Sequence, residues 1–220
     1  VSCDACQRLR AYCQRIGREK RAAYRDETYW ARPVPGYGDR SAQILVLGLA
    51  PAAHGANRTG RVFTGDGRGG SGDFLMTALH ANGLANQPYS RSANDGLALT
   101  NVWISAAVRC APPDNRPTPA EISRCHRHLV DELSALPRCR VLVALGRIAF
   151  ESGRLLLGDG EHTWPDRPRF SHGATFPLEG RPALVACYHP SRQNTHTGRL
   201  TPEMLQEVFA VAKALAANPR

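Results

Sequence analysis

The sequence predicts a three-layer α/β sandwich built on a parallel sheet, and three observations predict it. Apolar runs of strand length recur along the chain, and they are nearly continuous instead of alternating, as strands covered on both faces must be. Stretches with helical character fall between them, which implies right-handed crossovers. The length of 220 residues suits one α/β domain with a substantial core and would be cramped for two. No internal repeat, linker or low-complexity tract divides it, so residues 1–220 read as a single domain.

Taken in order, the first strand is Ile44 to Leu49, followed by a helix over Gly72 to Ala81. The second strand is Leu99 to Ile104, and the helix after it runs from Pro119 to Leu136. That helix opens on Thr118-Pro119-Ala120-Glu121, a capping box with proline at the first helical position. Val141 to Leu145 forms the third strand and Arg147 to Leu156 its helix. The last strand is Ala183 to Cys187, and Thr201-Pro202-Glu203 opens a closing helix that reaches Ala216. Ligands of open α/β sheets bind beyond the carboxyl ends of the strands. The segments Ala50 to Gly70, Ser105 to Arg116 and Tyr188 to Gly198 are therefore expected to converge on one site.

Composition narrows the function. Hydrophobic residues make up 42% and charged residues 21%, an ordinary globular balance. Mean hydropathy is −0.35, and no apolar run approaches the roughly 20 residues of a membrane span, so neither a membrane nor a collagen-like protein is expected. Lys and Arg number 28 against 19 Asp and Glu, a net charge of +9, and only Lys20 and Lys213 of the basic residues are lysines. Guanidinium groups fork onto phosphates, which points to a polyanionic partner; a GC-rich genome writing Arg for Lys is the plainer source of the same bias. Arg58, Arg61, Arg192 and Arg199 lie in or beside the site segments and are the expected phosphate contacts, with a wedge role open as the alternative for Arg192. The seven cysteines are odd in number and unevenly spaced, which predicts reduced thiols and a cytoplasmic setting.

Four of those cysteines form a constellation. Cys3 and Cys6 make a C-x2-C step, Cys110 follows a buried strand, and Cys125 sits in the next helix. Four thiolates can hold a tetrahedral zinc or a four-iron cubane, and they can equally be unrelated thiols. His126 and His128 are possible zinc ligands or an exposed basic helix face, while Cys139 and Cys187 read as core thiols. Gly65, Gly67 and Gly70 spell G-x-G-x-x-G, but no strand directly precedes them, so they read as a tight loop and not as a dinucleotide fingerprint. Phe63 offers a ring for stacking, Asp66 a lone carboxylate, and His189 a donor at a strand end. Each also has a plain structural explanation, as core residue, helix cap and satisfied histidine.

Several stretches carry a resemblance over nearly the whole length. They are Cys6-Gln7-Arg8-Leu9, YWARPVPG from Tyr29, GLAPAAHGANRTGRVFTGD from Gly48, AAVRCAPPDNRPTP from Ala106 and YHPSRQNTHTGRLT from Tyr188. The chain resembles family 5 (type B) of the uracil-DNA glycosylase superfamily. The resemblance implies a central four-stranded parallel sheet flanked by helices, and a [4Fe-4S] cluster on Cys3, Cys6, Cys110 and Cys125, with zinc as the alternative. It also implies a partner, single- or double-stranded DNA carrying damaged bases, and a monomer working in a bacterial or archaeal cytoplasm.

Such an enzyme flips a damaged base from the helix and hydrolyses its bond to C1′ of deoxyribose. By resemblance, Phe63 is the stacking platform and His189 donates to the base oxygen where negative charge develops. Two positions depart from the relatives. Leu49 stands where related families carry an acidic or polar residue, and Ala106 where family 4 carries an asparagine. Asp66 is then expected to supply the carboxylate and Asn115 the pocket amide, with His189 completing the catalytic set. Gly48, Ala50, Pro51, Ala52, Phe63, Ser191, Arg192 and Asn194 are the expected substrate contacts. Loss of polar readout predicts broad substrate choice, uracil and deaminated purines such as hypoxanthine. Two other functions fit the same residues: a non-catalytic iron–sulfur protein that binds lesions, and a zinc-stabilised nucleotide hydrolase.

Overall fold

A computed structural model describes residues 2–65, 67–158 and 163–217. The four expected strands form the centre of the sheet, as β2 (Ile44–Gly48), β3 (Val102–Ala106), β4 (Val141–Leu145) and β6 (Ala183–Cys187). They are parallel and lie in the order β3-β2-β4-β6. Two short antiparallel strands extend the edges, β1 (Tyr37–Gly38) beside β3 and β5 (Thr175–Phe176) beside β6. Each pairs over only two residues, too short to stand out as a hydrophobic run in sequence.

Residues of β2 divide between the two faces by the period-two rule of a strand. Ile44 and Val46 pack with Leu75, Leu79, Leu205 and Phe209, from α3 (Ser71–Ala81) and α7 (Pro202–Ala217). Leu45 and Leu47 pack on the other side with Leu129, Phe150 and Leu157, from α4 (Pro119–Ser134) and α5 (Arg147–Leu157). Both faces are covered, which is why the strands read as unbroken apolar runs.

The second strand starts at Val102 and not at Leu99. Leu99 instead bridges Ala85, and the Thr100 amide donates to the Leu84 carbonyl. Asn101 then turns the chain through a left-handed conformation, with φ 61°, and its amide donates to Asp39. The capping box forms as expected: the Thr118 hydroxyl accepts from the Glu121 amide, and Glu121 accepts from the Thr118 amide. At the last helix, the Thr201 hydroxyl accepts from the Met204 amide at 3.2 Å.

Among the described residues three further α-helices lie outside the expected set: α1 (Gln7–Glu19), α2 (Ala56–Thr59) and α6 (Arg192–His196). Helix α1 buries only Leu9 and Cys13, one turn apart, so its apolar stripe is too thin to be legible among the arginines around it. It packs against Val108, Cys110 and Ala111 after β3, making a third, smaller core. The ion pair between Arg8 and Glu121, 2.7 Å, ties it to α4.

Glu132 is a charged residue in the interior, 9% exposed. Its carboxylate accepts from Ser105 on β3, from the Gly36 amide and from Arg109. One buried acid thus joins α4, β3 and the loop that leads to Cys110. Removing one partner of a buried charge pair leaves the other uncompensated. Glu132→Ala is therefore expected to lower stability by about 3–5 kcal/mol in urea unfolding, well beyond the roughly 1 kcal/mol of a lost helix cap such as Thr118→Ala.

Candidate active site

The site is built outward from the carboxyl end of β2. Gly48 closes that strand, and a Cβ there would fall 2.7 Å from Cε2 of Phe63. Phe63 itself has φ 50°, a conformation that bulky residues rarely adopt. Gly72 fixes it from the other side, because a Cβ at Gly72 would meet the Phe63 carbonyl oxygen at 2.2 Å. Two glycines and a strained backbone together lay the aromatic ring over the strand end.

The loop carrying Phe63 is braced by two buried arginines. Arg58 donates to the carbonyls of His54 and Gly65, both at 2.9 Å, pairs with Glu27 and lies over the Tyr24 ring. Arg61 donates to Thr64 and Ser90 and pairs with Asp95 at 2.8 Å. Both arginines are 8% exposed. The expectation that they contact phosphates is corrected: their forks are consumed by the protein's own loop. Arg192 and Arg199 do remain exposed.

Beyond Gly48 lies a cavity of about 300 Å³. Gly48, Ala50, Ala52, Phe63, Asn115, His189 and Ser191 line it, so three segments distant in sequence meet there as the sheet topology requires. The departures Leu49 and Ala106 line it too, as do Ala56, Val62 and Ser71, which sequence reading did not single out. Ser71 is legible only once the helix start at Gly70 is known. Pro51 is buried and does not line the cavity, Arg192 lines an adjoining groove, and Asn194 turns its amide back to the His189 carbonyl at 2.8 Å. Asp66 lies outside the described residues.

His189 faces Phe63 across the cavity, with ring centroids 5.9 Å apart and planes inclined by 29°. Its backbone is held by the Asn194 side chain and by the Ser191 amide, and Ser191 in turn caps α6. Gly146, at φ 93°, lets the end of β4 approach its Cβ. Burial pushes the imidazole down to about 4, so it is a neutral donor at physiological pH. Asn115 reaches the cavity through two successive left-handed residues, Asp114 at φ 53° and Asn115 at φ 55°, a conformation that Asp and Asn tolerate better than most.

The four cysteines expected to act together do meet. Cys3, Cys6, Cys110 and Cys125 line one small cavity between α1, α4 and the loop after β3. Donors are aimed at the sulfurs, the Arg109 amide at Cys125 Sγ, 3.3 Å, and Arg127 at Cys3 Sγ, 3.5 Å, and His128 Nε2 shares a hydrogen bond with Cys3 Sγ at 3.4 Å. Arg10 and Arg109 also line the cavity; the Nε of Arg109 is buried without a hydrogen-bond partner, and that of Arg10 lies 3.5 Å from the Asp4 carboxylate. As free thiols Cys125 and Cys6 resist ionisation, since burial pushes Cys125 up to about 11 and raises Cys6 as well. Among the described residues, no group of three or more His, Cys, Asp or Glu is arranged to hold a single metal ion. Also among them, no helix is long and apolar enough to cross a membrane.

An α/β sandwich with Phe63 facing a neutral His189 across a cavity at its strand ends has the chemistry to accept a flat, polar-edged ring. The chain belongs to the uracil-DNA glycosylase superfamily, whose sequence model matches residues 35–213. Within it the similarity over nearly the whole chain is to type-5 enzymes. The chain is 53% identical to the type-5 uracil-DNA glycosylase of Thermus thermophilus over 216 residues, 98% of this chain and 94% of that one. It is 49% identical to the type-5 enzyme of Mycobacterium tuberculosis over 215 residues, covering 97% and 78%. Against the type-5 enzyme of Pyrobaculum aerophilum the identity is 45% over 214 residues, covering 97% and 89%.

The depressed pKa of His189 has a consequence for stability. An unfolded chain takes up this proton below about 6.5, whereas the folded protein refuses it until about 4. The stabilisation is complete above the unfolded value and is lost as pH falls through the interval between the two. Burial lowers His54 and His172 in the same direction. The His189 ring resonances are expected to titrate near 4 by NMR, and the urea midpoint to fall as pH drops from about 7 toward 4. A His189 titration near 6.5 would contradict the burial that sets it.

Proposed function

We propose that this protein is a monofunctional DNA glycosylase that removes uracil, and also hypoxanthine, from DNA in base-excision repair. The observation that carries the reading is the neutral His189 imidazole facing Phe63 across a cavity at the strand ends. Family membership and the type-5 relatives support it. The reading has a monomer acting on single- or double-stranded DNA in the cytoplasm.

The reaction adds water to C1′ and breaks the bond from C1′ to the base nitrogen, whose electron pair departs with the base. Positive charge gathers on the sugar and negative charge on the base oxygens. Phe63 stacks on the flipped base, and its fixed ring gives the base one plane to enter. His189 donates a hydrogen bond to the oxygen that gains charge. An uncharged donor suits this role because it can be buried without a counter-ion and still strengthen as the anion forms. Leu49 and Ala106 are aliphatic and cannot orient water. We assign that role, or stabilisation of the sugar cation, to Asp66 on its place in the Gly65–Gly67 loop, with Asn115 as the pocket's amide. A wall of Gly48, Leu49, Ala50, Ala52, Val62 and Ala106 carries few polar groups to reject a near-isostere, which supports broad base choice.

For the cysteine cavity we propose a [4Fe-4S] cluster. Four thiols that ring a cavity without converging on one point suit a cubane, in which each thiolate binds a separate iron. The Arg109 Nε without a hydrogen-bond partner and the N–H···S donors suit a net anionic group better than four neutral thiols. When bound, the cluster would fasten the N-terminal segment to the sheet; the reaction itself needs no electron transfer. Anaerobically purified protein is expected to carry about four irons and four acid-labile sulfides per chain. Stoichiometric zinc without sulfide would replace the cluster by the zinc alternative.

The function is tested by alkaline cleavage of single-stranded and duplex DNA containing one uracil or hypoxanthine after incubation with enzyme. Strand breaks at the lesion are expected, and His189→Ala is expected to lower the single-turnover rate about 10²–10³-fold. Asp66→Asn separates charge from shape at that position, and a rate near wild type would remove Asp66 from the chemistry. Tight binding with an intact base would mark a lesion-binding protein and not an enzyme.

A further inference from the structure

A second concavity opens beside the base cavity and shares Ala52 and Asn115 with it. It is a groove of about 540 Å³, larger than the base cavity itself. Tyr12, Arg21 and Tyr24 reach it from the N-terminal segment, and Arg192 from the first residue of α6. The superfamily match begins at residue 35, so the first three belong to a part of the chain outside the matched span.

The chemistry of the groove is distinctive. Arg21 and Arg192 are exposed, and their guanidinium groups make no hydrogen bond or ion pair among the described residues. Elsewhere around the site arginines are spent on protein partners, as Arg58 and Arg61 are. Both tyrosines are half-buried, and each meets a guanidinium group: the buried Arg58 lies 3.9 Å from the Tyr24 ring centroid, and the exposed Arg15 5.3 Å from that of Tyr12. Among the described residues the one carboxylate in the lining is Asp114. Free cations combined with fixed rings along a channel are the chemistry that holds a single strand of nucleic acid, by phosphate pairing and by stacking. A groove continuous with the base cavity receives the chain on one side of whatever nucleotide enters that cavity.

We propose that this groove holds the DNA strand immediately beside the flipped nucleotide, with Arg21 and Arg192 on its phosphates and Tyr12 and Tyr24 against its bases or sugars. The N-terminal segment thus becomes part of the substrate site, and its attachment through Arg8–Glu121 and the cysteine cavity becomes a condition for binding DNA. The proposal rests on the glycosylase reading and deepens it, by naming where the strand runs and which residues outside the superfamily core hold it.

The test uses the whole protein and single-stranded oligonucleotides in which 2′-fluoro-2′-deoxyuridine resists cleavage. The strands grow one nucleotide at a time on either the 5′ or the 3′ side of the uridine, and affinity is read by fluorescence anisotropy. Wild-type affinity should rise with the first nucleotides added on one side. Arg21→Ala should cut that rise about five- to tenfold and reduce the slope of log K against log salt by about 0.7, the share of one phosphate on a single strand. Arg21→Lys keeps the charge and should keep most of the slope. The proposal is overturned if Arg21→Ala matches wild type at every length, or weakens short and extended strands equally. Uracil release by the wild type from the unfluorinated strands is measured in parallel. Absence of release sinks the glycosylase reading, whereas normal release with no flank-dependent loss sinks the groove alone.

Discussion

The site depends on one missing side chain. Gly48 ends the central strand β2, and the Phe63 ring occupies the space its Cβ would need, 2.7 Å from Cε2. Any larger residue would lift the ring off the strand end. The left-handed turn at Phe63, the close approach of Gly72 and the arginine-braced loop all serve to keep that ring where β2 stops. A backbone conformation that costs free energy persists only where its surroundings over-determine it, and such places cluster at functional sites.

The second organising feature is how charge is handled away from water. Glu132, Arg58 and Arg61 are buried with their hydrogen-bonding capacity used, and each joins elements far apart in sequence. His189 is handled in the opposite way: burial removes its charge, and the ring remains a neutral donor. Charged braces and a neutral donor have different tasks. The braces set loop geometry, while the donor, in the role proposed for His189, would respond to charge that exists only during the reaction. An arginine-rich chain accordingly contains two populations of arginine. Some are structural, and others, such as Arg21 and Arg192, stay exposed at the mouth of the site.

Type-5 relatives cover almost the whole chain, whereas the superfamily model begins at residue 35. The difference is the N-terminal segment that carries Cys3, Cys6 and helix α1. Structurally it is a separate small core laid across the loop after β3, built on Leu9, Cys13, Val108, Cys110 and Ala111. It contributes little apolar surface, yet its residues line both the cysteine cavity and the groove.

The sequence by itself determined the parts of this protein that repeat a local rule. Both faces of the central strands are buried, so those strands read as apolar runs, and Thr118 with Glu121 marks a helix start because capping is local. The loops beyond the strand ends were legible from topology, and the family from long motifs such as that from Gly48 to Asp66. Only the tertiary structure decided what depends on distant neighbours. It set the two-residue edge strands, the shift of β3 away from Leu99, and the thinly apolar helix α1, whose burial comes from the loop it covers. It also decided that Arg58 and Arg61 face inward, that Asn194 serves the His189 backbone and that Ser71 reaches the cavity. Composition records that an arginine is charged; which partner satisfies that charge is fixed by atoms that only folding brings within reach.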